Sequence, residues 1–209
     1  MNSANKIQQT VYVVDDDEAV LDALALLLDT VGLNCQTFCS ANAFLDAYDG
    51  VSRGCLVLDI RMPGMSGLEL QEKLVEKDVL LPIIFITGHG DIPMAVEAMR
   101  SGAHDFIRKP FREQELLDRI NEALALESGI RHQQFERSAI VLKLKTLTDR
   151  EREVFERITA GEANKVIAIE LEISERTVEV HRAHVMKKMA AKSLAQLVRM
   201  KIIAEMSPT

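Results

Sequence analysis

Between residues 11 and 126 the chain alternates short apolar runs with longer amphipathic segments, and this alternation constrains the fold more than any other feature. The runs are Val11–Val14, Cys35–Phe38, Cys55–Leu58, Ile83–Thr87 and His104–Ile107. They are brief and rich in Val, Ile, Leu and Phe, as strands covered on both faces must be. Four sets of helical spacing intervene: Val20, Leu24, Leu27, Leu28 and Val31; Leu68, Leu70 and Leu74; Ile92, Val96 and Met99; and Leu116, Leu117, Ile120 and Leu124. Ser66 with Glu69 has capping-box spacing, and Ser40 and Asp91 suit N-caps. Five strands, each followed by a helix, predict an α/β domain with a doubly wound parallel sheet.

In such a sheet, ligands gather outside the carboxyl ends of the strands. The first strand leads into Asp15-Asp16-Asp17, the third into Asp59, the fourth ends in Thr87 and the fifth is followed by Lys109-Pro110. Singly, each has a bland reading: a solvated acidic loop, a strand-end threonine, a Lys-Pro turn. Together, four strands deliver carboxylates, a hydroxyl and an ammonium to one rim. Gathered carboxylates repel unless a cation relieves them, and Mg²⁺ is suited to one or two carboxylates, waters and phosphate oxygens. A carboxylate beside such an ion is a competent nucleophile for phosphoryl transfer. His89, between two glycines, reads as a loop residue rather than a phosphate carrier.

The stretches YVVDDDE, LVLDIRMPGMSG, FITGHGD and FIRKPF resemble the receiver domain of two-component response regulators, most closely the FixJ subgroup. The resemblance covers residues 11–126 and implies a flavodoxin-like strand order. It implies Asp59 as phosphoacceptor, with Asp15 and Asp16 in an acidic pocket. Asp16, Asp59 and the backbone carbonyl of Arg61 would hold Mg²⁺. Thr87 and Lys109 would contact the phosphoryl group, Phe106 would be the switch aromatic, and Lys109–Pro110 would be cis. Asp17 either faces solvent or begins the helix. The phosphoryl donor would be a partner sensor histidine kinase.

Residues 127–145 contain no proline and only Gly129, so they read as an extension of the last helix, with Ile130, Phe135 and Ile140 as partial seam positions; a flexible tether is the alternative. From Thr148 the pattern is all-α. Thr148 through Glu151 has capping-box spacing before a helix that Gly161 should end. A short helix over Asn164–Leu171 follows. After a turn capped by Ser174 comes a helix to about Met189, then one over Ser193–Ala204. A helix, a short turn and a second helix match the helix-turn-helix scheme. Val178, Val185 and Met189 share one face of the second helix and should pack inward.

Charge supports that reading locally rather than globally. The formal net charge is −7, with 14 Lys/Arg against 22 Asp/Glu in residues 1–145 and 11 against 10 in residues 146–209. Residues 176–201 carry seven basic groups against Glu179 alone, a local face suited to nucleic acid. Arg176, Thr177, Arg182, Lys187 and Lys188 could donate to phosphates, and Arg182, Val180 and Ala183 could meet base edges and thymine methyls. The segment from Leu147 to Val198 resembles the four-helix LuxR/FixJ-type DNA-binding domain. That resemblance places Glu179, Val180, Arg182 and Ala183 toward the groove. Glu179 departs from the lysine common there in some relatives.

The expected organisation is a receiver over 1–126, a linker over 127–145 and a DNA-binding domain over 146–209. Phosphorylation of Asp59 would remodel the face around Asp91–Arg100, Phe106 and Arg112–Arg119, driving homodimerisation or releasing the second domain. The expected partners are the sensor kinase, a double-stranded DNA operator and RNA polymerase, with transcriptional activation the anticipated output. No apolar run approaches the roughly 20 residues a membrane span needs, and no signal peptide is evident, so a cytoplasmic protein is expected. Cys35, Cys39 and Cys55 contain no CxxC pair and read as small buried hydrophobes. Asp15-x-Asp17 also suits a dehalogenase-type phosphatase, but that reading leaves Asp59-Ile-Arg-Met-Pro-Gly unexplained. A nicotinamide reductase would need GxGxxG where this chain has DDDE. A helical domain that binds protein or RNA instead of DNA is the remaining alternative.

Overall fold

The computed structural model describes residues 9–88 and 92–206, with Ile92 described by its backbone alone. His89 and Asp91, singled out above, lie outside the described residues. The chain divides into two compact units, residues 1–129 and 130–209.

The first unit contains β1 (Thr10–Val14), α1 (Glu18–Thr30), β2 (Asn34–Phe38), α2 (Ala41–Ala47), β3 (Gly54–Asp59), α3 (Gly67–Glu76), β4 (Ile83–Thr87), α4 (Ile92–Arg100), β5 (Asp105–Arg108) and the start of α5 (Glu113–Leu144). The five strands are parallel in the order β2-β1-β3-β4-β5. β3 and β4 are buried at every residue, while β2, on an edge, carries the more polar NCQTF and is only partly buried. Alternation along the strands feeds two apolar layers. Tyr12, Val14, Leu56, Leu58 and Phe85 meet Phe44 of α2, Leu70 and Leu74 of α3, and Ala98 of α4. Val11, Val13, Val57, Ile84 and Ile86 meet Leu21, Leu24 and Leu28 of α1 and Leu116 and Ile120 of α5.

Three expectations need correction. α4 buries Ala95 and Ala98, leaving Val96 and Met99 exposed, because small side chains let the helix lie close to the sheet. Val31 caps the end of α1 and is exposed. Only Cys55 is fully buried; Cys35, on the edge strand, is half-buried, and Cys39, just beyond it, is exposed. Burial pushes the Cys55 thiol up to about 12 and that of Cys35 up to about 11, so neither is a ready thiolate.

α5 is 32 residues long and runs past Gly129 into the second unit. There Ile140 is buried and Phe135 exposed. The helices α6 (Asp149–Thr159), α7 (Asn164–Glu170), α8 (Glu175–Met189) and α9 (Leu194–Glu205) follow. Val154, Phe155, Ile158, Ile167, Val178, Val185, Met189 and Leu197 form their common core. Thr148 and Glu151 make the capping box of α6, and Ser174 and Ser193 cap α8 and α9. Gly161, just after α6, has φ +89°, a conformation that favours glycine. Among the described residues no helix is long and apolar enough to cross a membrane.

Candidate functional site

The parallel order carries the ends of β1, β3, β4 and β5 to one rim. Asp15 follows β1 and is 2% exposed; its Oδ1 accepts the Asp17 N–H at 2.9 Å, which fixes the acidic loop. Asp17 is the N-cap of α1, accepting from Ala19 N–H, and it is exposed, so it both begins the helix and faces solvent. Asp16, between them, is exposed. Asp59 ends β3 and is 8% exposed. Its Oδ2 accepts the backbone N–H of exposed Arg61 at 2.7 Å. From beyond β5, Lys109 reaches across: Nζ lies 2.7 Å from Asp15 Oδ2 and 2.8 Å from Asp59 Oδ1. Lys109 also donates its N–H to the Thr87 carbonyl at 2.7 Å, tying the loop after β5 to the end of β4. The Thr87 hydroxyl donates to its neighbour Gly88 O at 3.2 Å. The Lys109–Pro110 bond is cis. Phe106 is half-buried against the layer holding Phe85, its β4 register partner.

Two buried carboxylates thus share one ammonium. Burial raises the Asp59 carboxyl above its ordinary pKa, although Lys109 and the Arg61 N–H work against the rise. Burial alone would lower Lys109, but its hydrogen bonds to Asp15 and Asp59 and their charges outweigh this and leave it raised. The rim therefore keeps excess negative charge on oxygen donors, which fits a hard divalent cation. Among the described residues no group of three or more His, Cys, Asp or Glu is gathered to hold a metal.

In the second unit α8 presents a basic face. At 3.6 residues per turn, Arg176, Val180, Ala183 and Lys187 fall within about 60° of one another. All four are exposed, as is Glu179 beside them, while Val178, Val185 and Met189 are buried on the opposite side. Two residues named for phosphate contact also bond within the domain. Lys188 turns toward α6, its Nζ 2.5 Å from Glu151 Oε2 and 3.1 Å from Thr146 O. The Thr177 hydroxyl pairs with Ser174 Oγ at 2.7 Å and belongs to the helix cap. Arg182 is half-buried on the flank facing α7, with Nη1 donating to Asn164 Oδ1 at 2.7 Å.

Comparison with known proteins gives two family matches. Residues 11–121 match the response regulator receiver domain, and residues 145–201 match the luxR family of bacterial regulatory proteins. The chain is a response regulator. It is 48% identical over 195 residues to the response regulator protein TmoT of Ectopseudomonas mendocina, covering 93% of this chain and 89% of the relative. It is 47% identical to the transcriptional regulatory protein FixJ of Azorhizobium caulinodans, covering 95% and 94%. Among solved structures, the response regulator StyR aligns with TM-score 0.85 at 46% identity over 93% of this chain and 98% of that one. Full-length FixJ from B. japonicum aligns with TM-score 0.60 at 45% identity, over 95% and 98%. As a FixJ-like transcriptional regulator, this response regulator joins a receiver to a helix-turn-helix DNA-binding domain and belongs to a non-enzymatic family.

Several structural residues of the response regulator carry no local signal in the sequence. Glu127 of α5 is fully buried against Arg53 and Gln9, far from it in the chain. Gln71 of α3 is buried with Nε2 donating to Ala98 O and Ser101 O at the end of α4. Capping-box spacing does reveal Glu151, but its bond to Lys188 needs the tertiary fold.

Proposed function

We propose that the receiver rim accepts a phosphoryl group on Asp59 and that this modification controls DNA binding by the second domain. The observation that carries the reading is the Lys109 ammonium held between two buried carboxylates, 2.8 Å from Asp59. An Asp59 carboxylate oxygen attacks the phosphorus of a phosphohistidine on a sensor histidine kinase. The P–N bond breaks, the imidazole keeps the electron pair, and Asp59 becomes an acyl phosphate. Lys109 exchanges its carboxylate contact for a phosphoryl oxygen, and the Thr87 hydroxyl donates to another. Asp15, Asp16, Asp59 and the Arg61 carbonyl would hold Mg²⁺, which offsets the charge of the incoming phosphoryl oxygens.

The new charge draws Thr87 and Lys109 inward, and Phe106 follows. The adjoining face of the receiver, where Val96 and Met99 are exposed, then becomes the surface for homodimerisation. Two DNA-binding domains on two half-sites gain by effective concentration. Arg176, Val180, Ala183, Arg182 and Lys187 would meet the operator, with RNA polymerase recruited beside them. The working boundaries are a receiver over 1–126, a helical linker over 127–145 and a DNA-binding domain over 146–209.

The test is the intact mass of the full chain after Mg²⁺ and a small acyl phosphate. Wild type should gain one phosphoryl group and Asp59→Asn none. Equal labelling of the variant overturns the assignment.

A further inference from the structure

Arg182 differs from the bonded cations of the DNA-binding domain in what holds it. Lys188 is paired with Glu151, Lys201 with Glu156, and Arg157 with Glu162 and Glu170; each of these charges is answered by a carboxylate inside the domain. Arg182 is held by a neutral amide, Asn164 Oδ1, at 2.7 Å, and among the described residues it has no carboxylate partner. A guanidinium carries five N–H donors in a rigid fork, so one bond from Nη1 leaves the others available. The amide fixes the orientation of the fork without cancelling its charge. The place matters as well. Arg182 stands on the α7 flank of α8, beside Glu179 and about a third of a turn from the outward stripe of Arg176, Val180, Ala183 and Lys187. In helix-turn-helix docking the first helix crosses the nucleic-acid backbone while the second enters the groove, so this flank faces phosphate rather than base edges.

We infer that Asn164 is a positioning residue for DNA binding: it holds the Arg182 guanidinium, undiminished in charge, to clamp a backbone phosphate. The inference rests on α8 being the DNA-facing helix. Asn164 thereby sets affinity for duplex DNA and not sequence choice. The isosteric change Asn164→Asp separates this role from a structural one. A carboxylate at the first position of α7 favours the helix macrodipole and bonds Arg182 more strongly, so the fold is kept or stabilised. Yet it neutralises Arg182 and repels phosphate, so DNA binding falls.

The experiment measures binding of the full chain, treated with Mg²⁺ and beryllofluoride, to a mixed-sequence duplex of about 30 base pairs, long enough for two half-sites. A salt titration and a thermal unfolding curve accompany each variant. Arg182→Ala should bind roughly tenfold more weakly and lose about one unit of salt slope. Asn164→Ala should lose roughly three- to fivefold with the slope kept, and should add nothing in the Arg182→Ala background. Asn164→Asp should bind more weakly than Asn164→Ala while melting no lower than wild type. Additive losses from Asn164→Ala and Arg182→Ala, or Asp binding as well as Asn at position 164, overturn the inference. Lys187→Ala distinguishes the two levels of failure. If it weakens binding while the position 164 variants do not, only the role of Asn164 falls; if Lys187→Ala and Arg182→Ala both bind as wild type, α8 is not the DNA-facing helix.

Discussion

Replacing Arg53 with alanine should destabilise the receiver, because it removes the cation that faces a buried carboxylate. Arg53 follows the loop into β3, and its Nη2 lies 3.2 Å from Glu127 Oε2 and 3.2 Å from Ser128 Oγ. The Glu127 side chain is 0% exposed and that of Arg53 is 23% exposed. Removing the arginine strands a buried carboxylate, which costs about 3–5 kcal/mol where nothing compensates. Two features reduce this: Gln9 Nε2 still donates to Glu127 at 2.8 Å, and the vacated arginine volume opens to water. The expected loss is therefore about 2–3 kcal/mol, or about 1–2 M in the urea midpoint. Tyrosine fluorescence reads it cleanly, since the chain has no tryptophan and its two tyrosines, Tyr12 and Tyr48, both lie in the first unit. Glu127→Gln should cost less, about 1 kcal/mol, because the remaining arginine can turn to water. Arg53→Met combined with Glu127→Leu should recover most of the loss. An Arg53→Ala midpoint within about 0.3 M of wild type would refute the claim that Glu127 depends on this pair.

The Lys188 ammonium above all, then the Thr148 N–H, holds the Glu151 carboxyl at about 2, well below its ordinary 4.5. A depressed pKa contributes stability that is complete above the ordinary value and is lost as pH falls toward the folded one. Glu151→Gln should therefore weaken amide-exchange protection of α6 near neutral pH, with the gap from wild type closing between pH 4.5 and about 2. An equal gap at both ends would mean that the ion pair contributes nothing. At Gly67 a Cβ would stand 2.3 Å from the Asp59 carbonyl oxygen and 3.0 Å from Phe85 Cε1. Gly67→Ala should cost about 2–3 kcal/mol and impair Asp59 labelling, whereas Gly129→Ala, in open space on α5, should stabilise by about 0.5–1 kcal/mol. Urea unfolding and intact mass check the pair, and a tolerated Gly67→Ala would contradict the close packing of α3 on β3.

Local chemistry made much of this molecule legible in the sequence. The apolar runs located the five strands of the sheet, with β5 displaced by one residue; the expectation of strands covered on both faces holds for β3 and β4, whereas β2 and β5 are only partly buried. Ser66 with Glu69, Thr148 with Glu151, and Ser174 announced their helix starts, since a cap acts over three residues. The rim residues could be read from strand ends because parallel topology alone brings those ends together. What escaped depends on partners distant in sequence. The bond of Lys188 to Glu151, 37 positions away, needs the fold. Glu127 carries no sequence signal for burial; its partners Arg53 and Gln9 lie 74 and 118 positions away. On α4 the larger apolar residues suggested the core face, but contact distance to the sheet selected Ala95 and Ala98. The Arg182–Asn164 bond likewise joins two helices whose approach no periodicity encodes.

Phosphorylation of Asp59 should be converted into assembly on DNA. Light scattering gives the most direct test: the mass of the full chain with Mg²⁺, before and after a small acyl phosphate, for wild type and Asp59→Asn. Wild type alone should shift from monomer to dimer and retain duplex DNA more tightly. A wild-type chain carrying the phosphoryl group on Asp59 with unchanged mass and unchanged DNA retention would contradict that conversion.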